Sequence, residues 1–236
     1  MTSASSPLLA GARDSVPMLV GAAPFGVIFG TLALGAGLSS AQTLAMSLIV
    51  FAGSSQFVAA TLFAGGAALP VIWLTTFVVN LRHALYSATL LPYARDWPLP
   101  WRVMLSFWLT DETFAVVEHR LREGLAEGGR AYWLGSSLAM YSNWLLWTVV
   151  GVVIGEAVPG LAGWGLDFAM VATFAAIVAP ALKHRPSLAA AGAAGVVALV
   201  ARHLPYKLDL MAAAAAGVAA GLLAEKLSGE QQEVSA

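Results

Sequence analysis

The sequence predicts an all-α protein, a polytopic transmembrane helical bundle of about seven to eight membrane segments, some of them broken or kinked. Charged residues make up only 11% of the 236 residues, against ~25% in soluble domains. Hydrophobic residues reach 59%, and the mean hydropathy is +0.78. The apolar runs are continuous instead of alternating, which indicates helices and not the strands of a membrane barrel.

The charge, the absence of cysteine and the missing motifs argue against several functional classes. The net charge of −1 gives no basic face for nucleic acid. The absence of cysteine removes disulfide scaffolds, thiolate metal sites and cysteine nucleophiles. The phosphate-binding loop of ATP-driven pumps and the common zinc-protease and serine-hydrolase motifs are also missing. We therefore expect a protein that is not an enzyme and that needs neither a metal nor a cofactor.

Eight apolar runs are candidate spans, since a helix needs ~20 mostly apolar residues to cross a bilayer. Residues 1–15 are predicted to be an N-terminal tail, 16–224 a single transporter domain and 225–236 a polar tail. The candidate spans are Val16–Gly37, Ala41–Phe63, Ala68–Leu91, Val103–Glu118, Ala131–Gly155, Gly163–Leu182, Ser187–Ala201 and Leu208–Ala224.

The fourth run, Val103–Glu118, leaves the topology open because it is short and carries two acids. If it crosses, the N-terminus is inside, and inside segments hold seven Lys and Arg against four outside. If it does not cross, the N-terminus is outside and the ratio is eight to three. Both alternatives place the C-terminus in the cytoplasm.

The second run is interrupted by small and polar residues, and Gly53, Ser54, Ser55 and Gln56 are predicted to bind substrate there. Transporters place substrates at such helix breaks because half-helix ends present partial charges. The alternative is a packing seam in which the serines bond to their own backbone.

Pro24 and Phe25 are further substrate candidates because a proline in mid-span kinks a helix. Two helices interrupted at similar depth would favour a site between them. The alternative is an ordinary kinked span. Phe25, together with Phe57, is predicted to line the slot for an apolar side chain.

Ionisable residues inside the third and fourth runs are costly in a membrane and therefore mark candidate sites. Asn80 and Arg82 are predicted to contact substrate, and His83, Asp111 and Glu112 to couple transport to an ion. For Arg82 the alternative is snorkelling to a headgroup. For Asp111 and Glu112 the alternative is a solvent-exposed position at the membrane interface.

Four motifs in this order resemble the AzlC-type family, the large subunits of branched-chain amino acid exporters. They are Pro24-Phe25-Gly26 with Gly30, Ala52-Gly53-Ser54-Ser55-Gln56-Phe57, Asn80-Leu81-Arg82-His83 with Tyr86, and Thr110-Asp111-Glu112 with Phe114. The resemblance implies a multi-pass exporter in the cytoplasmic membrane for valine, leucine, isoleucine and, as a further candidate, methionine. It also implies a small hydrophobic AzlD-type partner subunit.

The residues themselves are compatible with a secondary transporter. A zwitterionic amino acid needs an acceptor for its ammonium, donors for its carboxylate and an apolar slot. With no nucleotide-binding motif, an ion gradient is the expected energy source, and a proton is the simplest choice. The alternatives are a membrane-embedded enzyme or a passive channel that uses the region of His83 and Asp111.

A partner subunit is also expected from two stretches of small residues, Ala189–Ala194 and Ala212–Ala216. Small residues allow helices to approach closely in membranes.

Overall fold

The computed structural model describes residues 6–123, 128–158, 179, 182–204 and 208–234. Within these ranges the chain forms helices and no strand, which confirms the predicted all-α class. The helices are α1 Pro7–Asp14, α2 Val16–Gly35, α3 Ser40–Ile49, α4 Gly53–Ala64, α5 Leu69–Asn80, α6 Arg82–Ala94, α7 Leu99–Phe107, α8 Asp111–Arg122, α9 Gly129–Ala157, α10 Arg185–Val200 and α11 Leu208–Val234.

Among the described residues, two helices are by themselves long and apolar enough to cross a membrane, α2 and α9. They run parallel and in close contact, since Gly30 of α2 lies against Gly151 of α9 and Leu19 accepts a hydrogen bond from Asn143 at 3.1 Å. Both helices therefore begin at one end of the bundle, the proximal end, and finish at the other, the distal end.

Helix α1 lies in the segment that was predicted to be an N-terminal tail. Ser6 caps it, and Gly11 fits directly against the backbone of α9 at Tyr132. The hydroxyl of Ser15, which follows α1, forms a buried hydrogen bond with Ser136 of α9 at 2.7 Å. The first fifteen residues thus include an ordered helix at the proximal end.

The predicted second span, Ala41–Phe63, does not cross the bundle but forms a helical hairpin, α3–α4. Ser40 donates a hydrogen bond to Glu156 at the distal end of α9, and Phe63 returns to Gly37 just after α2. The turn between them places Phe51 at φ 43°, a left-handed conformation that strains a bulky residue. We call this element the distal hairpin.

The predicted third span corresponds to α5 and α6, which are separated by Leu81 alone. Its distal part packs Ile72 against Leu62 of the distal hairpin. At the other end, Trp97 meets Trp133 near the start of α9, with ring centroids 5.9 Å apart. The α5–α6 segment therefore runs from the distal to the proximal end and is kinked in the middle.

The run Val103–Glu118 also forms a helical hairpin, α7–α8, which starts and ends at the proximal end of the bundle. We call it the proximal hairpin. The guanidinium of Arg130 lies over the Trp101 ring, 5.6 Å from its centroid, beside the start of α7. Near the end of α8, Arg120 covers the ring of Tyr132 at 5.2 Å. Both ends of the hairpin thus contact the first turns of α9.

Hydropathy could not distinguish these hairpins from spans, because a hairpin of two half-length helices is as apolar as one crossing helix. The first predicted span corresponds to α2, but the interruption predicted near Pro24 is absent, since α2 continues through this residue. The predicted total of seven to eight segments is not confirmed by the described residues.

Helices α10 and α11 pack against each other through their small residues. A Cβ on Gly217 would lie 3.1 Å from the Cβ of Ala194 and from the carbonyl of Ala190. Part of the small-residue surface predicted to face a partner therefore lies within this pair. Helix α11 also continues into the predicted C-terminal tail. The predicted span Gly163–Leu182 lies almost wholly outside the described residues.

Candidate functional site

A cavity of about 120 Å³ lies where the tips of the two hairpins meet α2, α6 and α9. It is smaller than the ~300–1,000 Å³ of pockets for drug-sized ligands, and it therefore suits a small solute. Its lining residues are Ala22, Phe25, Phe51, Ala52, Gly53, Ser54, Phe57, Arg82, His83, Thr110, Asp111, Glu112, Met140 and Trp144.

Two helices begin at this cavity from opposite ends of the bundle. The first residues of α4, Gly53 and Ser54, line one side, and those of α8, Asp111 and Glu112, line the other. Helix N-termini carry unpaired N–H groups and a partial positive charge. Thr110 caps α8, whereas Ala52 gives α4 no side-chain cap. The start of α4 therefore presents N–H groups without a side-chain cap to the cavity, an arrangement that favours an anion.

An ion pair joins the proximal hairpin to the kink of α5–α6. The Arg82 guanidinium lies 2.8 Å from Asp111, and their side chains are 24% and 42% exposed. Tyr86, one turn after Arg82, stacks on Phe114 with ring centroids 4.5 Å apart. The pair therefore links the tip of the proximal hairpin to the middle of the α5–α6 segment, beside an aromatic contact.

Three buried polar atoms around the cavity have no hydrogen-bond partner within the described part of the chain. They are Nε of Arg82, Nε2 of His83 and Oδ1 of Asp111. Buried polar atoms are nearly always paired in folded proteins. A polar or zwitterionic ligand could supply hydrogen-bond partners for these donors and for this acceptor.

The opposite side of the cavity is apolar. Trp144 and Met140 of α9 face it together with Phe57, and these side chains are 6%, 3% and 1% exposed. Trp144 stacks on Phe29 with centroids 6.3 Å apart, and Phe29 meets Phe57 edge to face at 5.8 Å. The aromatic rings therefore form a rigid wall opposite the charged residues.

The structure brings together most, but not all, of the residues predicted to form the site. The lining includes eight of them: Phe25, Gly53, Ser54, Phe57, Arg82, His83, Asp111 and Glu112. Four lie elsewhere. Pro24 is exposed on α2, and Asn80 ends α5 outside the lining.

Ser55 and Gln56 are buried, with no exposed surface, on the side of α4 away from the cavity lining. Ser55 donates to the backbone oxygen of Ala52 at 2.9 Å, the self-bonded geometry weighed as the alternative. The binding and coupling roles of all these residues stay predictions.

Sequence reasoning missed Trp144, Phe51 and Ala22 as lining residues. Trp144 follows Asn143 in the middle of an apolar helix, and this polar interruption was an available signal. Phe51 carries no sequence signal, because its position depends on the turn of the distal hairpin. No cluster of three metal-ligating side chains occurs among the residues that the structure describes.

Comparison with known proteins places these elements in a family. The model of the family described as "AzlC protein" matches residues 17–158, more than half of the chain and all of the elements around the cavity. The chain belongs to the AzlC family. No solved structure matches it.

The relatives are membrane proteins from bacteria and archaea. The chain is 28% identical to "Inner membrane protein YgaZ" of Escherichia coli over 190 residues, which cover 78% of this chain and 77% of that protein. It is 34% identical to an "Uncharacterized membrane protein" of Archaeoglobus fulgidus, over 77% of the chain and 79% of the relative. It is also 27% identical to "Branched-chain amino acid transport protein AzlC" of Bacillus subtilis, over 69% and 63%.

Proposed function

We propose that this chain is the translocating subunit of a secondary transporter that exports branched-chain amino acids. The observation that carries the proposal is the small cavity between two opposed half-helix N-termini, with one charged wall and one aromatic wall. The Bacillus subtilis relative is named as a branched-chain amino acid transport protein, which supports this substrate class.

The charged wall matches the two ends of a zwitterion. The N–H groups at the start of α4 and the Arg82 guanidinium suit a carboxylate. The free Oδ1 of Asp111 suits an ammonium. An aliphatic side chain would then lie against Phe57, Met140 and Trp144. The limited volume favours valine, leucine and isoleucine over larger solutes.

The ion pair between Arg82 and Asp111 supports proton coupling. A carboxylate that loses its cationic partner in a low-dielectric site is stabilised by taking up a proton. If substrate competes with Asp111 for Arg82, the two events become linked. His83, Tyr86 and Glu112 also lie close to Asp111.

The distribution of arginine supports an orientation. Between residues 6 and 158, six arginines lie at the proximal end, and the loops at the distal end carry neither Lys nor Arg. The six are Arg13, Arg95, Arg102, Arg120, Arg122 and Arg130. Because Lys and Arg accumulate on the cytoplasmic side, we place the proximal end and α1 in the cytoplasm. The membrane would then be the cytoplasmic membrane.

A small AzlD-type subunit is proposed as the partner. The family resemblance supports it. Large apolar side chains are also exposed along α10 and α11, such as Leu199 and Leu222 at 72% and 62%, and either lipid or a partner helix can cover them. The partner would cover surface that the described helices leave open.

Reconstitution into liposomes tests the proposal. With the partner subunit present, liposomes preloaded with unlabelled leucine should accumulate labelled leucine by counterflow, and Asp111→Asn should lose its response to an imposed proton gradient. Glu118→Gln is the matched control, because Glu118 lies on the same helix but pairs with Arg122 outside the cavity. Leucine flux without counterflow would instead indicate a passive channel, which the opposed half-helices also suit.

A further inference from the structure

Gln56 lies at the centre of a buried chain of hydrogen bonds that ties the distal hairpin to α9. Its Oε1 accepts from the Trp144 indole N–H at 3.1 Å and from the backbone N–H of Ala52 at 3.2 Å. Its amide nitrogen donates to Ser47 at 3.0 Å. Since both groups at Oε1 can only donate, the orientation of the amide is unambiguous.

The chain of hydrogen bonds continues from Ser47 to Thr148 of α9 and ends at the backbone of the same helix. The Ser47 hydroxyl lies 2.9 Å from that of Thr148, which itself donates to the backbone oxygen of Trp144 at 2.8 Å. Ser47, Gln56 and Thr148 have no exposed surface. Each of these side chains therefore has at least two hydrogen-bond partners within the described residues, and a connected buried network of this kind favours one geometry.

This network fixes the wall of the cavity through Trp144. The indole is held by its N–H at Gln56 and by its face against Phe29. On the other side it faces Gly53, where an added Cβ would lie 3.0 Å from ring atom Cη2. The ring position thus decides how much space remains between α9 and the start of α4.

We propose that Gln56 is a positioning residue that holds Trp144 as the size-determining wall of the slot for the substrate side chain. The proposal rests on the function proposed above. Gln56 contacts no substrate. It acts by keeping the indole in one orientation, because a buried N–H without its acceptor is unfavourable and the ring would shift.

The test compares Gln56→Met, Trp144→Phe and the double variant, with Ser55→Ala as the matched control. Methionine keeps the length of glutamine but cannot hold the indole as the amide does. Ser55 is buried in the same turn of α4 and bonds only to the backbone of its own hairpin. Removing its hydroxyl perturbs that turn without touching Trp144.

The first readout is independent of transport. In protein labelled with ¹⁵N-tryptophan, the indole signal absent from Trp144→Phe belongs to Trp144. We expect Gln56→Met to shift this signal and to accelerate exchange of its proton, and Ser55→Ala to leave both unchanged. An unchanged signal in Gln56→Met would overturn the inference.

The second readout is the preference for leucine over phenylalanine in counterflow. We expect Gln56→Met to reduce this preference about tenfold, within the range that one size-selective apolar contact supplies. Trp144→Phe should do the same, and the double variant should go no further. Additive losses, or an equal loss in Ser55→Ala, would overturn the positioning role while leaving the proposed function intact. Absence of counterflow in the wild type would overturn both.

Discussion

The contact between α2 and α9 predicts a large effect from one added methyl group, in Gly30→Ala. The two helices touch backbone to backbone at this point. A Cβ on Gly30 would lie 2.5 Å from the carbonyl oxygen of Thr148 and 2.8 Å from the amide nitrogen of Val152. Neither neighbour is a flexible side chain that could move aside.

The size of the effect follows from these distances. Ordinary contacts begin at 3.4 Å, so α2 must retreat by about 1 Å (3.4 − 2.5 = 0.9 Å). Overpacking of this kind costs ~1–3 kcal/mol. It also moves Phe29 away from Trp144, and with it the cavity wall. Alanine is the better helix former by ~1 kcal/mol, which offsets part of the loss.

Thermal unfolding of the purified protein in detergent measures this effect, with Gly192→Ala as control. Gly192 lies within α10, and outside its own helix no atom of the described residues lies within 4 Å of its added Cβ, so only the gain in helix propensity is expected. We expect Gly30→Ala to lower the melting temperature by roughly 2–4 °C per kcal/mol, and Gly192→Ala to leave it unchanged or raise it. Equal melting temperatures for the two variants would refute the close packing.

Three further outcomes are expected. Because the chain has no cysteine, a single cysteine introduced at Ala41 or Ala64, both exposed, can be labelled selectively. If α3–α4 is the distal hairpin, an impermeant thiol reagent added from the periplasm should label both positions. If this segment instead crosses the membrane, the reagent should label only one of them. Arg82→Ala should reduce both the yield of folded protein and transport, because it strands a carboxylate, and Arg82→Ala with Asp111→Asn should recover yield but not transport; no recovery in the double variant would contradict the pairing. A reporter fused after Ala236 should be active only in its cytoplasmic form, and periplasmic activity would falsify the predicted location of the C-terminus.

Composition and motif order were sufficient to predict the class of protein, the all-α fold and most of the residues predicted to meet at one place, which line the cavity. The low charge content alone indicated a membrane protein, and the polar residues from Gly53 indicated that a helix begins within the second apolar run. What could not be predicted was the path of the chain after each break. A helix interrupted at Phe51 can continue or reverse, and the choice depends on contacts with α2 and α9 that lie far away in sequence.

The same limit applies to Gln56, which the sequence predicts to bind substrate. An amide inside an apolar run must find partners, and sequence does not show whether these are ligand atoms or protein atoms. In the structure its partners are Trp144, Ala52 and Ser47. Asp111 and Arg82 differ from Gln56, because each has one buried polar atom without a hydrogen-bond partner among the described residues. These atoms are available to a ligand.

The two hairpins are held by different kinds of contact, and this difference bears on how the cavity opens. The distal hairpin is fixed to α9 by directional, fully buried hydrogen bonds through Ser47 and Gln56. The proximal hairpin packs mainly through apolar side chains and a partly exposed ion pair, Arg82–Asp111. Apolar contacts are non-directional and tolerate sliding better than a closed hydrogen-bond chain. The proximal hairpin is therefore the element expected to move, and because Asp111 stands at its tip, any change in the charge of that carboxylate acts directly on the moving part.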